Sequence, residues 1–291
     1  MSSITAPDKT LKEWAEMVKI EHTVFALPFA LSGLILAAGA VPPIAVIAFT
    51  ILAFVGARAA AMTLNRLIDA EIDRKNPRTS DRAIPAGRIS RRQALFFTIA
   101  SFALMIGSAT QLPPLCLMLS PIAVIWLSFY SFTKRFTWLC HIVLGIALGG
   151  AALGGWIAAG GSLDLIDPWL LALSVATWVA GFDIIYACQD VSFDQEEKLH
   201  SMPARFGVGT ALWISRALHI VTVSGLLSLG LNMQLGPFFF IGIALVTIML
   251  VYEHSIVKSD DLSRVNAAFF TINGIVSILA FVAILVDRLL A

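Results

Sequence analysis

Charge is what this chain has least of: only 13% of its 291 residues are Asp, Glu, Lys or Arg, against roughly 25% in an ordinary soluble domain. That scarcity excludes a well-solvated globular surface, and a formal net charge of +1 excludes a broad basic face for nucleic acid. Cysteine is nearly absent too. Cys116, Cys140 and Cys188 show no C-x-x-C spacing, so neither a disulfide framework nor a zinc site is expected. The five histidines, His22, His141, His200, His219 and His254, form no H-E-x-x-H pattern and read as structural. No barrel-like alternation of apolar and polar residues occurs. What is abundant is apolar: 58% hydrophobic residues and a mean hydropathy of +0.85 describe an integral membrane protein.

A spanning helix takes about 20 apolar residues, and runs of that kind begin near residues 23, 44, 94, 113, 138, 166, 210, 236 and 266. The first run is too long for a signal-peptide core and reads as a retained span. The expectation is therefore an all-α membrane protein, one domain over residues 1–291, with nine transmembrane helices bundled around a central cavity. Turn residues break the runs at "AGAVPP", "QLPP", "GGSLDLIDP" and "MQLGP", and none of these four connections contains Lys or Arg. The alternate connections carry the cations. By the positive-inside rule the N-terminus and the charged loops face the cytoplasm, across the inner membrane if the cell is bacterial.

Against this sparse background, "NRLIDAEIDRKNPRTSDRAIPAG" (residues 65–87) is densely charged. Asn65, Asp69 and Asp73 are spaced four apart and share one helix face, whereas Glu71 points elsewhere. Two carboxylates on one face at a membrane boundary repel and lose hydration, so a cation between them is expected. A second set, Asp183, Tyr186, Asp190 and Asp194, closes the sixth helix on the same side. All-oxygen donors suit Mg²⁺, whose shell is completed by waters and substrate phosphates. Arg58, seven residues before Asn65, with Lys75, Arg78, Arg82, Lys134 and Arg135, could grip phosphate oxygens. Arg58 is the most telling because it interrupts an apolar stretch. Arg88, Arg91 and Arg92 read first as headgroup contacts. A diphosphate at the interface with a tail in lipid describes a polyprenyl diphosphate.

These residues resemble the UbiA superfamily of intramembrane prenyltransferases, in particular its 4-hydroxybenzoate polyprenyltransferase branch. The resemblance covers nearly the whole chain. It rests on "NRLIDAEID" and "RAIPAGRIS", on "YSFTKRFTWLCHIVLG", and on "DIIYACQDVSFD" with "LHSMPARFG". It implies Asn65, Asp69, Asp73, Asp190 and Asp194 as ligands of Mg²⁺ and diphosphate, and a lateral opening for the isoprenoid. "VKIEHTVFALPFALSG" is similar to the family's first-helix entry and makes Lys19 a phosphate-side cation. Many relatives read Asn-Asp where this chain reads Asn65-Arg66, which removes one carboxylate. Arg66 projects about 100° from Asn65, so the acidic face survives.

The reaction implied is electrophilic prenylation of an aromatic ring. Arg58, Arg82 and Lys134 stabilise the diphosphate and Tyr186 orients the leaving group or the nascent cation; Arg135 and Asp183 complete the substrate contacts. Phe25, Phe29 and Tyr130 read as core packing before cation-π partners. The acceptor is a small aromatic acid, 4-hydroxybenzoate in quinone biosynthesis or, alternatively, a naphthoate in menaquinone biosynthesis. A membrane transporter is the rival class, disfavoured because the acidic groups sit at helix ends and the halves show no repeat of broken helices.

Overall fold

A computed structural model describes residues 6–19 and 23–290, with side chains at 12–19 and 26–290; Phe25 and His22 thus lie outside the described side chains. Among the described residues the fold is all helical. It comprises α1 (Ala6–Val18), α2 (Thr23–Ala38), α3 (Ile44–Ile68), α4 (Ala70–Lys75), α5 (Arg91–Ala109), α6 (Pro114–Thr133) and α7 (Cys140–Ala158). Then follow α8 (Asp167–Ala187), α9 (Val191–Glu196), α10 (Met202–Phe206), α11 (Val208–Asn232), α12 (Pro237–Ile256) and α13 (Asn273–Leu290).

Eight of these segments are long and apolar enough to cross a membrane. The first expected span is α2, whose 16 residues reach only about 24 Å at 1.5 Å per residue, short of the roughly 30 Å hydrocarbon core. Eight helices, not nine, therefore have spanning length among the described residues. Local chemistry sets their starts. Ser90 and Gln93 form a reciprocal capping box ahead of α5. Proline occupies the first turn of α6, α8 and α12, where its missing N–H is harmless.

The helices are held by close backbone approach. A Cβ on Gly155 of α7 would overlap the carbonyl oxygen of Ala30 on α2, and one on Gly33 would overlap that of Ala152. Gly145 and Gly149 sit in the same way on Ala176 and Ala172 of α8. The neighbouring Gly150 and Gly154 face open space. Large side chains fill the rest of the core, with Phe29, Trp156, Trp178, Phe182 and Phe239 in one cluster from α2, α7, α8 and α12. Outward, Phe96, Met118, Trp213 and Leu231 are exposed, the surface that lipid would solvate.

Several buried polar groups are matched in pairs, as an apolar surround favours. Trp178 Nε1 donates to Asn273 Oδ1 (2.8 Å), and Asn273 Nδ2 donates to Glu253 Oε1 (2.6 Å), tying α8, α13 and α12 together. At the opposite end from the acidic motifs, Asp167 accepts from Asn232 Nδ2 at 2.7 Å and is buried. The segment 76–90 is packed, not loose: Ile84 and Ile89 are buried against Met17, Ala70 and Ala94. An ion pair of 3.3 Å from Arg88 Nε to Glu13 places α1 on the same side as this segment.

Candidate active site

The first acidic motif does not lie on one continuous helix. α3 ends at Ile68, Asp69 leaves helical geometry at φ −88°, ψ 4°, and α4 resumes at Ala70. The Asp73 N–H still donates to the Asp69 carbonyl oxygen at 2.7 Å, so the offset of four is kept through the break. Asn65 Nδ2 donates to Asp69 Oδ2 at 3.1 Å. Arg135 Nη2 reaches Asp69 Oδ1 at 3.4 Å and donates to the Ile68 carbonyl at 2.7 Å, closing the frayed end of α3. Asp73 takes both its bonds from Arg82 Nη1, each 2.7 Å. Glu71 is exposed and pairs with Arg74 and Arg91, away from the site.

Past α4 the chain turns where Asn76 Oδ1 accepts from the Arg78 N–H at 2.9 Å, an Asx turn before Thr79 Oγ1 bonds the Asp73 carbonyl at 3.1 Å. That turn aims Arg78 across the bundle. Its Nε donates to Asp190 Oδ1 (3.0 Å), Nη2 to the other carboxylate oxygen, and Nη1 to Tyr186 Oη (2.9 Å), with the guanidinium 5.1 Å from the Tyr186 ring. The sixth expected helix also divides here. α8 ends at Ala187, a 3-10 turn spans Cys188–Asp190, and α9 begins at Val191. Asp194 is fully buried, ion-paired to Lys134 Nζ at 2.7 Å and bonded by Ser201 Oγ at 2.8 Å. Ser201 is at the same time the N-cap of α10, so "LHSMPARFG" is docked onto the motif through one hydroxyl.

Four aspartates thus each hold one cation. Electrostatics at the two ends differ. Burial, then the neighbouring Asp73 charge, raises the Asp69 pKa above the usual carboxylate range, with Arg135 opposing. At Lys134 burial works against the ammonium, but the charge and hydrogen bond of Asp194, with the Asp190 charge, together raise the pKa.

Both motifs open on one cavity of about 310 Å³. Asn65, Asp69 and Asp73 line it with Asp183, Tyr186 and Asp190, and so do Lys19, Arg58, Arg78, Arg82, Lys134 and Arg135. Asp194 stands one layer behind, against Lys134. Lys75 is drawn off to Glu197 at 2.6 Å. Deeper walls are apolar, from Leu144, Leu148, Val175, Phe182 and Phe269. Of the aromatic residues singled out above, Tyr130 lines the cavity, while Phe29 is core, 4.9 Å from Trp178. Arg66 is a correction. It does not turn away but lines the cavity, 7% exposed, with no hydrogen-bond partner for Nε. A cavity that wraps more than a quarter of α3 takes in adjacent residues, a width no spacing rule reveals. His141 is a second residue the spacing missed: it lines the cavity beside Asp183, not the plain core.

A helical membrane bundle with paired acidic motifs and a surplus of cations over one amphipathic cavity defines an enzyme acting on a lipid-borne anion. The comparisons give the family. Residues 26–275 match the UbiA prenyltransferase family, and the chain belongs to it. It is 31% identical over 244 residues to "4-hydroxybenzoate octaprenyltransferase" of Vibrio atlanticus, covering 82% of this chain and 84% of that protein. To "4-hydroxybenzoate polyprenyltransferase, mitochondrial" of Drosophila melanogaster it is 30% identical, over 80% of this chain and 59% of that one. Among solved structures, the apo UbiA homolog from Aeropyrum pernix superposes with a TM-score of 0.84 at 36% identity, covering 92% of this chain and 98% of that one. A UbiA homolog from Archaeoglobus fulgidus bound to DMAPP and Mg²⁺ shares the fold at a TM-score of 0.74, with 22% identity over 96% and 100% of the two chains. The protein is an aromatic prenyltransferase of the membrane.

Proposed function

We propose that the enzyme transfers a polyprenyl group from polyprenyl diphosphate to a small aromatic acid, 4-hydroxybenzoate, with Mg²⁺, on the cytoplasmic face of a bacterial inner membrane. The observation that carries this reading is the convergence of Asp69, Asp73 and Asp190, each with its own arginine, on one cavity whose far walls are apolar. The relatives named above for 4-hydroxybenzoate support the acceptor.

The donor set fits Mg²⁺ with one qualification of geometry. Among the described residues no three acidic, His or Cys side chains meet at one point, so the protein supplies few ligands from each wall. That suits an ion whose shell is finished by water and substrate phosphate oxygens. Asn65, Asp69, Asp73, Asp190 and Asp194 would hold it, and Asp194 can do so only if Lys134 moves. Bound there, Mg²⁺ would neutralise charge on the departing pyrophosphate and ease ionisation of the allylic C–O bond.

The side chains do the rest. Arg78, Arg82, Lys134 and Arg135 now neutralise carboxylates; a diphosphate offers them better-matched oxygens, and Arg58 and Arg66 add charge on α3. Tyr186 Oη, held by Arg78 Nη1, lies at the junction of polar and apolar walls and faces the leaving group. Val175, Phe182 and Phe269 exclude water that would capture the allylic cation.

Detergent-purified protein supplied with Mg²⁺ and a long-chain prenyl diphosphate should prenylate 4-hydroxybenzoate. Asp69→Asn and Asp190→Asn should each abolish turnover with little change in thermal stability. Activity that survives chelation would count against the metal, and preference for a naphthoate in an acceptor panel would move the acceptor to that class.

A further inference from the structure

Asp183 differs from the other motif aspartates. Asp69, Asp73, Asp190 and Asp194 each pair with an arginine or lysine, whereas the side-chain partner of Asp183 is His141. His141 Nδ1 lies 2.7 Å from Asp183 Oδ2, and the Asp183 side chain keeps about a quarter of its surface (24%) open on the cavity wall. His141 itself is 3% exposed. Its other nitrogen, Nε2, is 3.3 Å from the Met202 backbone nitrogen, which carries a hydrogen.

The backbone N–H can only donate, so Nε2 must present a lone pair. The imidazole proton then sits on Nδ1 and is given to Asp183. An imidazolium would set N–H against N–H at Met202, so this contact favours the neutral ring. Met202 is itself fixed, because Ser201 caps α10 while bonding Asp194. The dyad therefore joins α7, α8 and the start of α10. Its result is a carboxylate oriented by a ring N–H donor, unlike the four paired with an arginine or lysine. Arginine-held carboxylates are matched to a metal and diphosphate. A cavity-lining carboxylate paired to no lysine or arginine can accept from a hydrogen-bond donor, and a diphosphate has none to offer.

We infer that His141 is a positioning residue that orients Asp183 to accept a hydrogen bond from the ring hydroxyl of the aromatic acceptor. This rests on the acceptor being a hydroxylated aromatic acid, as proposed above.

The test compares three variants in the purified enzyme. Asn at 141 can put an N–H where Nδ1 stands, whereas Gln reaches the Nε2 position and Ala offers no donor. His141→Gln and His141→Ala should lower kcat/KM for the acceptor roughly 10- to 100-fold, the usual loss when an orienting outer partner is removed. His141→Asn should stay within about threefold of the unmodified enzyme, since it restores the same donor. KM for the prenyl diphosphate should not move in any of them. Equal losses in Asn and Gln variants, or a parallel rise in KM for the prenyl diphosphate, would overturn the inference. If His141→Ala fails to fold, the Asn and Gln pair still decides. A second arm needs no substrate: ¹⁵N NMR of histidine-labelled protein, with the His141→Asn spectrum as the assignment, should show a neutral ring protonated at Nδ1. An Nε2–H tautomer or an imidazolium refutes the dyad. A correct tautomer in an enzyme that prenylates no hydroxylated aromatic acid would sink the acceptor reading and leave the dyad standing.

Discussion

Replacing Lys134 by methionine separates what that cation does for the fold from what it does for the substrate. Asp194 has no exposed surface, and its partners are Lys134 Nζ at 2.7 Å and Ser201 Oγ at 2.8 Å. Breaking a buried pair by removing one member costs about 3–5 kcal/mol, because the other charge stays buried. Lys134 is 37% exposed on the cavity side, so water already screens part of the attraction and the expected loss is nearer 2 kcal/mol. For a chain of 291 residues that corresponds to a fall in Tm of roughly 3 °C. In the double variant Lys134→Met/Asp194→Asn no charge is stranded, and Asn can still accept from Ser201. It should recover to within about 1 kcal/mol of the unmodified protein, a coupling energy typical of residues in contact. Its prenyl transfer should remain as low as that of the single variant. Thermal unfolding in detergent and turnover with saturating substrates, measured on the same preparations, read the two effects separately. A double variant as unstable as the single one refutes the pairing argument. One that regains both stability and turnover refutes the phosphate role of Lys134.

Two further substitutions probe the seams and the unmatched charge. Gly155→Ala, whose Cβ would meet the Ala30 carbonyl, should destabilise by about 1–3 kcal/mol as α2 and α7 are forced apart. Gly154→Ala, which meets nothing, should be neutral or stabilising by up to about 1 kcal/mol; unfolding scans that give both the same sign refute the seam. Arg66→Met removes a buried guanidinium whose Nε has no partner, so Tm should hold or rise, while titration with Mg²⁺ and inorganic pyrophosphate should show binding weakened by about tenfold. Unchanged pyrophosphate binding would show that Arg66 serves no phosphate.

The helices were legible because lipid imposes a simple rule on composition, and apolar runs separated by charged or turn-rich connections obey it. Of the expected spans, α2 alone falls short of spanning length among the described residues, at 16 residues. The acidic faces were legible from spacing alone. Their backbone was not: neither Asp69 nor Cys188–Asp190 contains a Pro or Gly to announce a break, and the interruption follows from contacts made by Arg135, Arg78 and Asn76, all three more than sixty residues distant from the helix end they serve. Glycine spacing nominated both Gly145/Gly149 and Gly150/Gly154. Only a known neighbour can choose between such stripes, and α8 chose the first. His141 looked like a stray polar residue in an apolar helix because its two partners, Asp183 and Met202, are 42 and 61 positions away.

The charge balance of the cavity explains why so apolar a chain keeps these residues together. Seven of its 20 lysines and arginines line this one space, with four carboxylates. They come from positions 19, 58, 66, 78, 82, 134 and 135, so composition, at a net charge of +1, gives no hint of the concentration. Cations clustered in a low-dielectric wall repel one another, and Arg66 and Arg82 share Asp73 as their nearby acid. Folding alone favours fewer of them, and apolar replacements would pack as well. What retains them is an anion that enters later. The four aspartate pairs hold the arginines and Lys134 in place until then, and the surplus cations on α3 set the direction from which the diphosphate is drawn in. Asp183, paired with His141 in place of a lysine or arginine, is thereby left for the other substrate.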